Sequence, residues 1–231
     1  MPELGVLSSK YESAGNPGAI AFDGPGGWSY GSYQIATKVG TFAAFLKFCH
    51  ADFPDTAVIL EAAGGNAGAT AGTDIFKACW TALAKEHRDD FARVQHEFIV
   101  ATHYGLAIHM LVISGYDLSK RSHTVAEVLF SLAVAAGPGS TRPSKSGLRL
   151  GCAGEVCDAI LAVGRPLVEI DDHILIDAVY SEKLKRIDTG KEYATQTAQI
   201  KASVRKRFVK EQIDAETMLG EELAGKTLIK S

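Results

Sequence analysis

Between Tyr11 and Ile35 runs the stretch YESAGNPGAIAFDGPGGWSYGSYQI. One carboxylate, Glu12, ends a short amphipathic pattern there, and glycines and aromatic residues follow with few other charges. That combination suits proton transfer. Desolvation by apolar neighbours and the negative end of a helix dipole both raise a carboxyl pKa, so such a glutamate can keep a proton near neutral pH and donate it. Lys10 is the one close cation in sequence. Taken alone, a glutamate at a helix end is solvated and inert in most proteins, so its surroundings decide the reading. Asp23 offers a second carboxylate in the same stretch, although aspartate also commonly pins turns such as FDGPGG. Trp28, Tyr30 and Tyr33 can stack on a flat ligand or donate hydrogen bonds, with core or loop anchoring as the plainer reading. Gln34 offers amide donors and an acceptor, and the glycines let a backbone approach a ligand closely.

The elements that must position these residues are mainly helical. LGVLSSKYES places Leu4, Leu7 and Tyr11 at helical spacing, and Gly15 stops it. Residues 15–35 carry turn punctuation and predict a loop or short hairpin, with the β structure confined to residues 19–35. GTFAAFLKFCHADF predicts a helix with Phe42, Phe45, Leu46 and Cys49 on one face, and DTAVILEAAGG a shorter one. NAGATAG reads as a small-residue loop, with Asp74 capping the helix IFKACWTALAKEH. DDFARVQHEFIVATHYGLAIHMLVIS predicts a long, mostly apolar helix, and the run FIVATHYGLAIHMLVISGY reads as a buried helix. SHTVAEVLFSLAVAAGPG opens with Thr124 and Glu127 in capping-box register and stops at Gly137-Pro138-Gly139. After a polar loop at 140–148, three more helical patterns complete the chain. No repeat or Pro/Ser-rich linker divides it, so one mainly α domain over residues 1–231 is expected.

With 231 residues the chain can bury a sizeable core. A net charge of −3 gives no basic footprint for nucleic acid. No apolar run reaches about 18 residues, so no membrane span is expected. Nor is a secretory signal read at the N-terminus. Cys49, Cys79, Cys152 and Cys157 have no zinc-knuckle or CxxC spacing. On a helix Cys152 and Cys157 stand about 8 Å apart, beyond disulfide reach, so free and mostly buried thiols are expected.

The order Glu12-Ser13, Asn16-Pro17, Ala19 and Gly31-Ser32-Tyr33-Gln34 resembles the active-site segment of the lysozyme-like superfamily, in particular goose-type lysozymes and soluble lytic transglycosylases. Ala136-Gly137-Pro138-Gly139 resembles that family's groove-lining helix end. The pattern is also similar to phage-type and secretion-delivered bacteriolytic muramidases. It covers about a fifth of the chain. Val134 and Ala135 stand where the transglycosylases carry Tyr-Asn, and Ala36 where goose-type enzymes carry an aspartate. The resemblance implies a lysozyme-like domain, mainly α with a small β-hairpin region, that cleaves the β-1,4 bond between N-acetylmuramic acid and N-acetylglucosamine. Glu12 would be the proton donor. Asp23 would direct water in an inverting hydrolysis, the two carboxyl groups standing about 6.5–9.5 Å apart. Alternatively, Glu12 works alone and the sugar's 6-hydroxyl attacks, giving a 1,6-anhydro product. Ser13, Trp28, Tyr30, Tyr33, Gln34, Tyr104, Gly137 and Tyr180 are the candidate substrate contacts.

Other readings are weaker. His96 and His103 lie two helical turns apart, too far for an HExxH zinc site, and no metal or cofactor is implied. Cys49-His50 and Cys79-Trp80 lack an orienting partner for a peptidase. Gln95, Glu97 and Tyr104 are candidates for a groove wall, and Tyr180 for a bond to the catalytic acid or for core packing. KASVRKRFVKEQ reads as a solvated basic face, with anionic wall polymer or a partner protein as the sharper option. The expected partners are a peptidoglycan strand, a cognate immunity protein, and a secretion or phage-tail delivery component. The expected place of action is the periplasm and cell wall, reached by injection or by lysis-linked release. The rival from another class is a non-catalytic peptidoglycan-binding protein.

Overall fold

The structure, a computed structural model, describes residues 4–11, 15–24 and 26–230; the side chains of Asp23 and of residues 226–230 lie outside the description. In chain order the elements are α1 (Val6–Ser9), β1 (Ile20–Asp23), β2 (Gly27–Tyr30), β3 (Ile35–Ala36), α2 (Thr41–Asp52), α3 (Pro54–Ala62), α4 (Gly65–Ala71), α5 (Asp74–Glu86) and α6 (Arg88–Ile99). A π-helical turn (Val100–Tyr104) leads to α7 (Gly105–Ile113), then α8 (His123–Ala136), α9 (Gly151–Val163), a 3-10 turn (Leu167–Glu169), α10 (Asp172–Asp188) and α11 (Ala198–Lys230). The chain is mostly helical with one small antiparallel sheet of order β1-β2-β3, as the sequence predicts.

The chain divides into two compact units, one of residues 1–11 and 102–231, the other of residues 12–101. The second unit is built on aromatic rings. Tyr30 from the sheet meets Phe42, Phe76 and Trp80 at centroid distances of 5.4, 5.2 and 5.2 Å, and Trp80 meets Phe91 at 4.7 Å. Phe42, Phe45, Leu46 and Cys49 are the buried face of α2, the stripe their spacing predicts. NAGATAG is helix, not loop. Its small residues allow close approach: Gly68 and Ala69 are buried, as is Gly65 just before them, and the Ala69 carbonyl accepts from the Tyr30 hydroxyl at 2.9 Å. Packing against the ring cluster overrides the poor helix propensity of glycine. The cap of α5 is Thr73, whose hydroxyl accepts from Phe76 N, in place of the expected Asp74.

The first unit packs α1, α7, α8, α9, α10 and α11 around an aliphatic core that includes Leu111, Val128, Leu132, Val156, Ile160, Leu175, Ile176 and Val179. Ser122 caps α8 through Val125 N, so the expected Thr124–Glu127 capping box is corrected. Thr124 Oγ1 donates to Glu222 on α11, and that carboxylate also accepts from the His123 and Thr124 N–H groups at the positive end of α8. By length and composition Arg88–Ile113 is long and apolar enough to cross a membrane. In the run FIVATHYGLAIHMLVISGY, Phe98, Ile99, Ala107 and Leu111 are buried while Leu106, Val112 and Ile113 are exposed, so the expectation of a buried helix is met on one face only. All four cysteines are free thiols.

Candidate active site

Glu12 and Ser13 lie outside the described residues, as does the Asp23 side chain; the Asp23 backbone closes β1 opposite Gly27. What the structure describes is how the segments on either side are held.

On the N-terminal side, α1 is a single turn with little stability of its own. The fully buried carboxylate of Glu127 on α8 holds it, accepting from Gly5 N and Leu7 N, both at 2.9 Å. Tyr11 is tied to α11: its hydroxyl donates to Asp214 at 2.7 Å and accepts from Lys210 at 3.3 Å, while Lys10 stands 3.6 Å from Asp214. Burial, reinforced by the bond to Asp214, pushes the Tyr11 phenol up to about 12. The same bond holds Asp214 below its ordinary value.

On the C-terminal side, one amide joins both halves of the motif. Gln95 on α6 is fully buried. Its Nε2 donates to the Pro17 carbonyl at 3.0 Å and its Oε1 accepts from Ser32 N at 3.0 Å. Trp80 Nε1 also donates to Pro17 O, at 2.9 Å. Gly31 has φ +78°, and a Cβ there would fall 2.2 Å from Gln95 Oε1, so glycine is required on both counts. On the next turn of backbone the Tyr33 hydroxyl and His96 Nδ1 are hydrogen-bonded at 2.9 Å. Gln34 is exposed and has φ 51°, a left-handed conformation that a non-glycine residue seldom adopts. Thus α6 holds both Asn16-Pro17 and Gly31-Ser32-Tyr33-Gln34 through Gln95, which lies 78 positions from Pro17 and 63 from Ser32.

The model of the family described as type VI secretion system spike protein VgrG3-like, C-terminal, matches residues 4–212. The chain belongs to this family. The type VI secretion system spike protein VgrG3 of Vibrio cholerae serotype O1 is 30% identical over 137 residues, a match that spans 58% of this chain and 12% of that protein. Among solved structures, a native chitosanase from Bacillus subtilis MY002 superposes with a TM-score of 0.56 at 14% identity, over 93% of this chain and 86% of the chitosanase. A glutamate-to-alanine mutant of that chitosanase complexed with 6 GlcN gives 0.54 at 13% identity over the same shares. Another chitosanase complex gives 0.54 at 16% identity, over 81% of this chain and 78% of that one. These likenesses establish the fold of the VgrG3-like chain, the lysozyme-like fold of the chitosanases.

The remaining candidates of the VgrG3-like chain separate. Tyr30 is 0% exposed with its hydroxyl committed to Ala69, so it is a core residue and the expectation of a sugar contact is corrected. Trp28 is half-buried: Lys77 Nζ sits 3.6 Å from the ring centroid, and a Cβ on Gly72 would fall 2.1 Å from the indole nitrogen. Tyr180 is buried in the first unit and donates to Glu211 at 3.1 Å, which is the core-packing alternative. Tyr104 lies in the π turn, 6.1 Å from the Phe130 ring, its phenol raised by burial. The Gly137 carbonyl accepts from Cys152 N at 3.0 Å, so the Ala-Gly-Pro-Gly turn also starts α9. Gln95, a candidate wall residue by sequence, is a buried staple, and the reach of Glu127 to α1 and of Asp214 to Tyr11 has no signal in the sequence spacing. The available signal for Gln95 was an amide on the same helix face as Phe91, Val94 and Phe98.

Among the described residues no group of three or more His, Cys, Asp or Glu side chains is placed to hold a metal. A cavity of 410 Å³ in the second unit is lined by Asp52, Phe53, Asp55, His87, Asp90 and Arg93 among others, and by none of the motif residues.

Proposed function

We propose that this chain is a peptidoglycan glycosidase, a muramidase that hydrolyses the β-1,4 bond between N-acetylmuramic acid and N-acetylglucosamine. The observation that carries the reading is the Gln95 staple, which draws the two halves of the motif onto one helix. Family membership and the chitosanase-type fold support it. Glu12 donates its proton to the glycosidic oxygen as positive charge develops on the departing sugar, and Asp23 directs a water to the opposite face of that sugar. The left-handed backbone at Gln34 supports a glycan contact there, since strain is retained where a particular side-chain position matters. Ser13, Tyr33, Tyr104 and Gly137 remain the other proposed contacts. Membership of a spike-protein family favours injection by a type VI machine over phage lysis as the route to the periplasm. A cell carrying such an enzyme then needs an immunity protein that covers the glycan-facing surface.

The test is digestion of purified peptidoglycan by wild type, Glu12→Gln and Asp23→Asn, with mass spectrometry of the released fragments. Wild type should release reducing muramic ends, and Glu12→Gln should lose at least a thousandfold in rate. Full activity in Glu12→Gln would sink the assignment. A 1,6-anhydro product with normal rates in Asp23→Asn makes the enzyme a lytic transglycosylase instead. Binding without cleavage by wild type makes it a wall-binding protein.

A further inference from the structure

The β1–β2 hairpin carries a surface that the motif did not predict. Phe22 and Trp28 are cross-strand partners, and their rings meet edge to face at 5.1 Å. Trp28 is the support: Gly72 abuts the edge of its indole and Lys77 covers a face. Phe22 is the part presented to solvent, 60% exposed, which is a large apolar exposure beside Asp23. Lys38 Nζ stands 5.9 Å from the Phe22 centroid and donates to Gly24 O at 2.8 Å, which anchors its ammonium beside the turn. Neither Lys38 nor Lys77 forms an ion pair with a described carboxylate, and Lys77 donates no hydrogen bond to a described residue. Asp74, one helical turn before Lys77, is not bonded to it. The hairpin therefore offers an exposed ring with two ammonium groups close by, each with donors to spare.

We propose that this ledge is a subsite for the carboxylate-bearing strand of peptidoglycan, and that it selects against polyglucosamine. The proposal rests on the glycosidase reading and names the substrate class of the same site. An exposed ring can receive the apolar face of a pyranose, in keeping with the stacking role of aromatic side chains at binding surfaces. Peptidoglycan presents lactyl and stem-peptide carboxylates near its sugars, complementary to Lys38 and Lys77. Polyglucosamine presents an ammonium on each sugar and is repelled by them. One chitosanase of the same fold is complexed with 6 GlcN, so the fold itself accommodates such a polymer, and the two ammonium groups supply a local charge that opposes it here.

The experiment measures binding with the full chain carrying Glu12→Gln, so that affinity is read without cleavage. The probes are muramyl oligosaccharides with free stem carboxylates, neutral N-acetylglucosamine oligomers and glucosamine oligomers. The expected order of affinity is muramyl, then neutral, then glucosamine, with the muramyl affinity falling as salt rises. Lys38→Glu with Lys77→Glu should weaken muramyl binding about tenfold and tighten glucosamine binding. Phe22→Ser should weaken all three. If the double reversal does not fold, Lys38→Gln and Lys77→Met singly carry the same comparison, each with a smaller loss. Tighter binding of glucosamine oligomers by the parent chain, or an unchanged muramyl affinity in the charge variants, overturns the proposal. Cleavage by wild type with no effect of the charge variants sinks the ledge alone. Cleavage surviving Glu12→Gln sinks the catalytic reading and leaves the order of affinities to stand or fall by itself.

Discussion

Replacing Gln95 by leucine removes a donor and an acceptor together. Pro17 O keeps its bond from Trp80, whereas the buried bond from Ser32 N to Gln95 is lost. Losing a buried hydrogen bond costs about 0.5–1.5 kcal/mol, so the denaturation midpoint of Gln95→Leu should drop by at least that equivalent. Activity should fall more than tenfold, because the two motif segments lose their common anchor. Gly31→Ala should fail for a different reason, a side chain driven into Gln95 at an unfavourable φ, and the double variant should be less than additive. The motif tyrosines show why single residues were only partly legible. Tyr30 and Tyr33 look equivalent in GGWSYGSYQ, yet one lies in the aromatic core and the other reaches His96. Strand alternation and the turn at Gly31 decide which way each side chain points, and neither is visible in residue type.

At the scale of elements, α1 is held from outside itself. Glu127→Ala removes the acceptor for two N–H groups, and a helix of four residues cannot compensate. Amide exchange of residues 5–11 should accelerate in Glu127→Ala far more than exchange of the α9 and α10 cores, and hydrolysis should slow if Glu12 depends on this segment. Asp214→Asn loosens the second tether. Because the Asp214 charge and hydrogen bond help raise the Tyr11 phenol, its ultraviolet titration should move down from about 12 in that variant, with burial keeping it above an ordinary tyrosine. The pattern also explains NAGATAG: its residues carry no helical stripe, and only the aromatic cluster makes a thin helix worthwhile there.

For the whole molecule, buried charge sets the pH response. Lys183 and Arg186 are fully buried on α10. Lys183 Nζ donates to Glu192 at 2.6 Å and Glu155 at 3.3 Å, and Arg186 meets Asp158 at 2.6 Å and Glu182 at 2.9 Å. Burial pushes the Glu155 carboxyl up to about 8, against the opposing pull of the Lys183 ammonium. The folded chain then holds a proton that the unfolded chain releases above its ordinary value of 4.5, so this contribution to stability is full at low pH and is lost as pH rises towards 8. Glu211 is also raised, chiefly by burial, and acts in the same direction. Denaturant unfolding should show stability declining from about pH 5 to 8, with the slope at least halved in Glu155→Gln. Lys183→Met should be destabilising at neutral pH, since it removes the buried cation that pairs with Glu192 at 2.6 Å.

Helix existence, the α2 core face, the stop at Gly137 and the order of the Glu12-to-Gln34 motif were all written in the sequence, because caps, turns and periodicity act within a few residues. They were enough to indicate the fold class and the lysozyme-like resemblance. Partners distant along the chain were decided by tertiary packing alone. Gln95 reaches Pro17 across 78 positions, and Glu127 reaches Leu7 across 120. A buried polar group takes whichever unsatisfied backbone group the packed core brings to it, and no local spacing encodes that meeting.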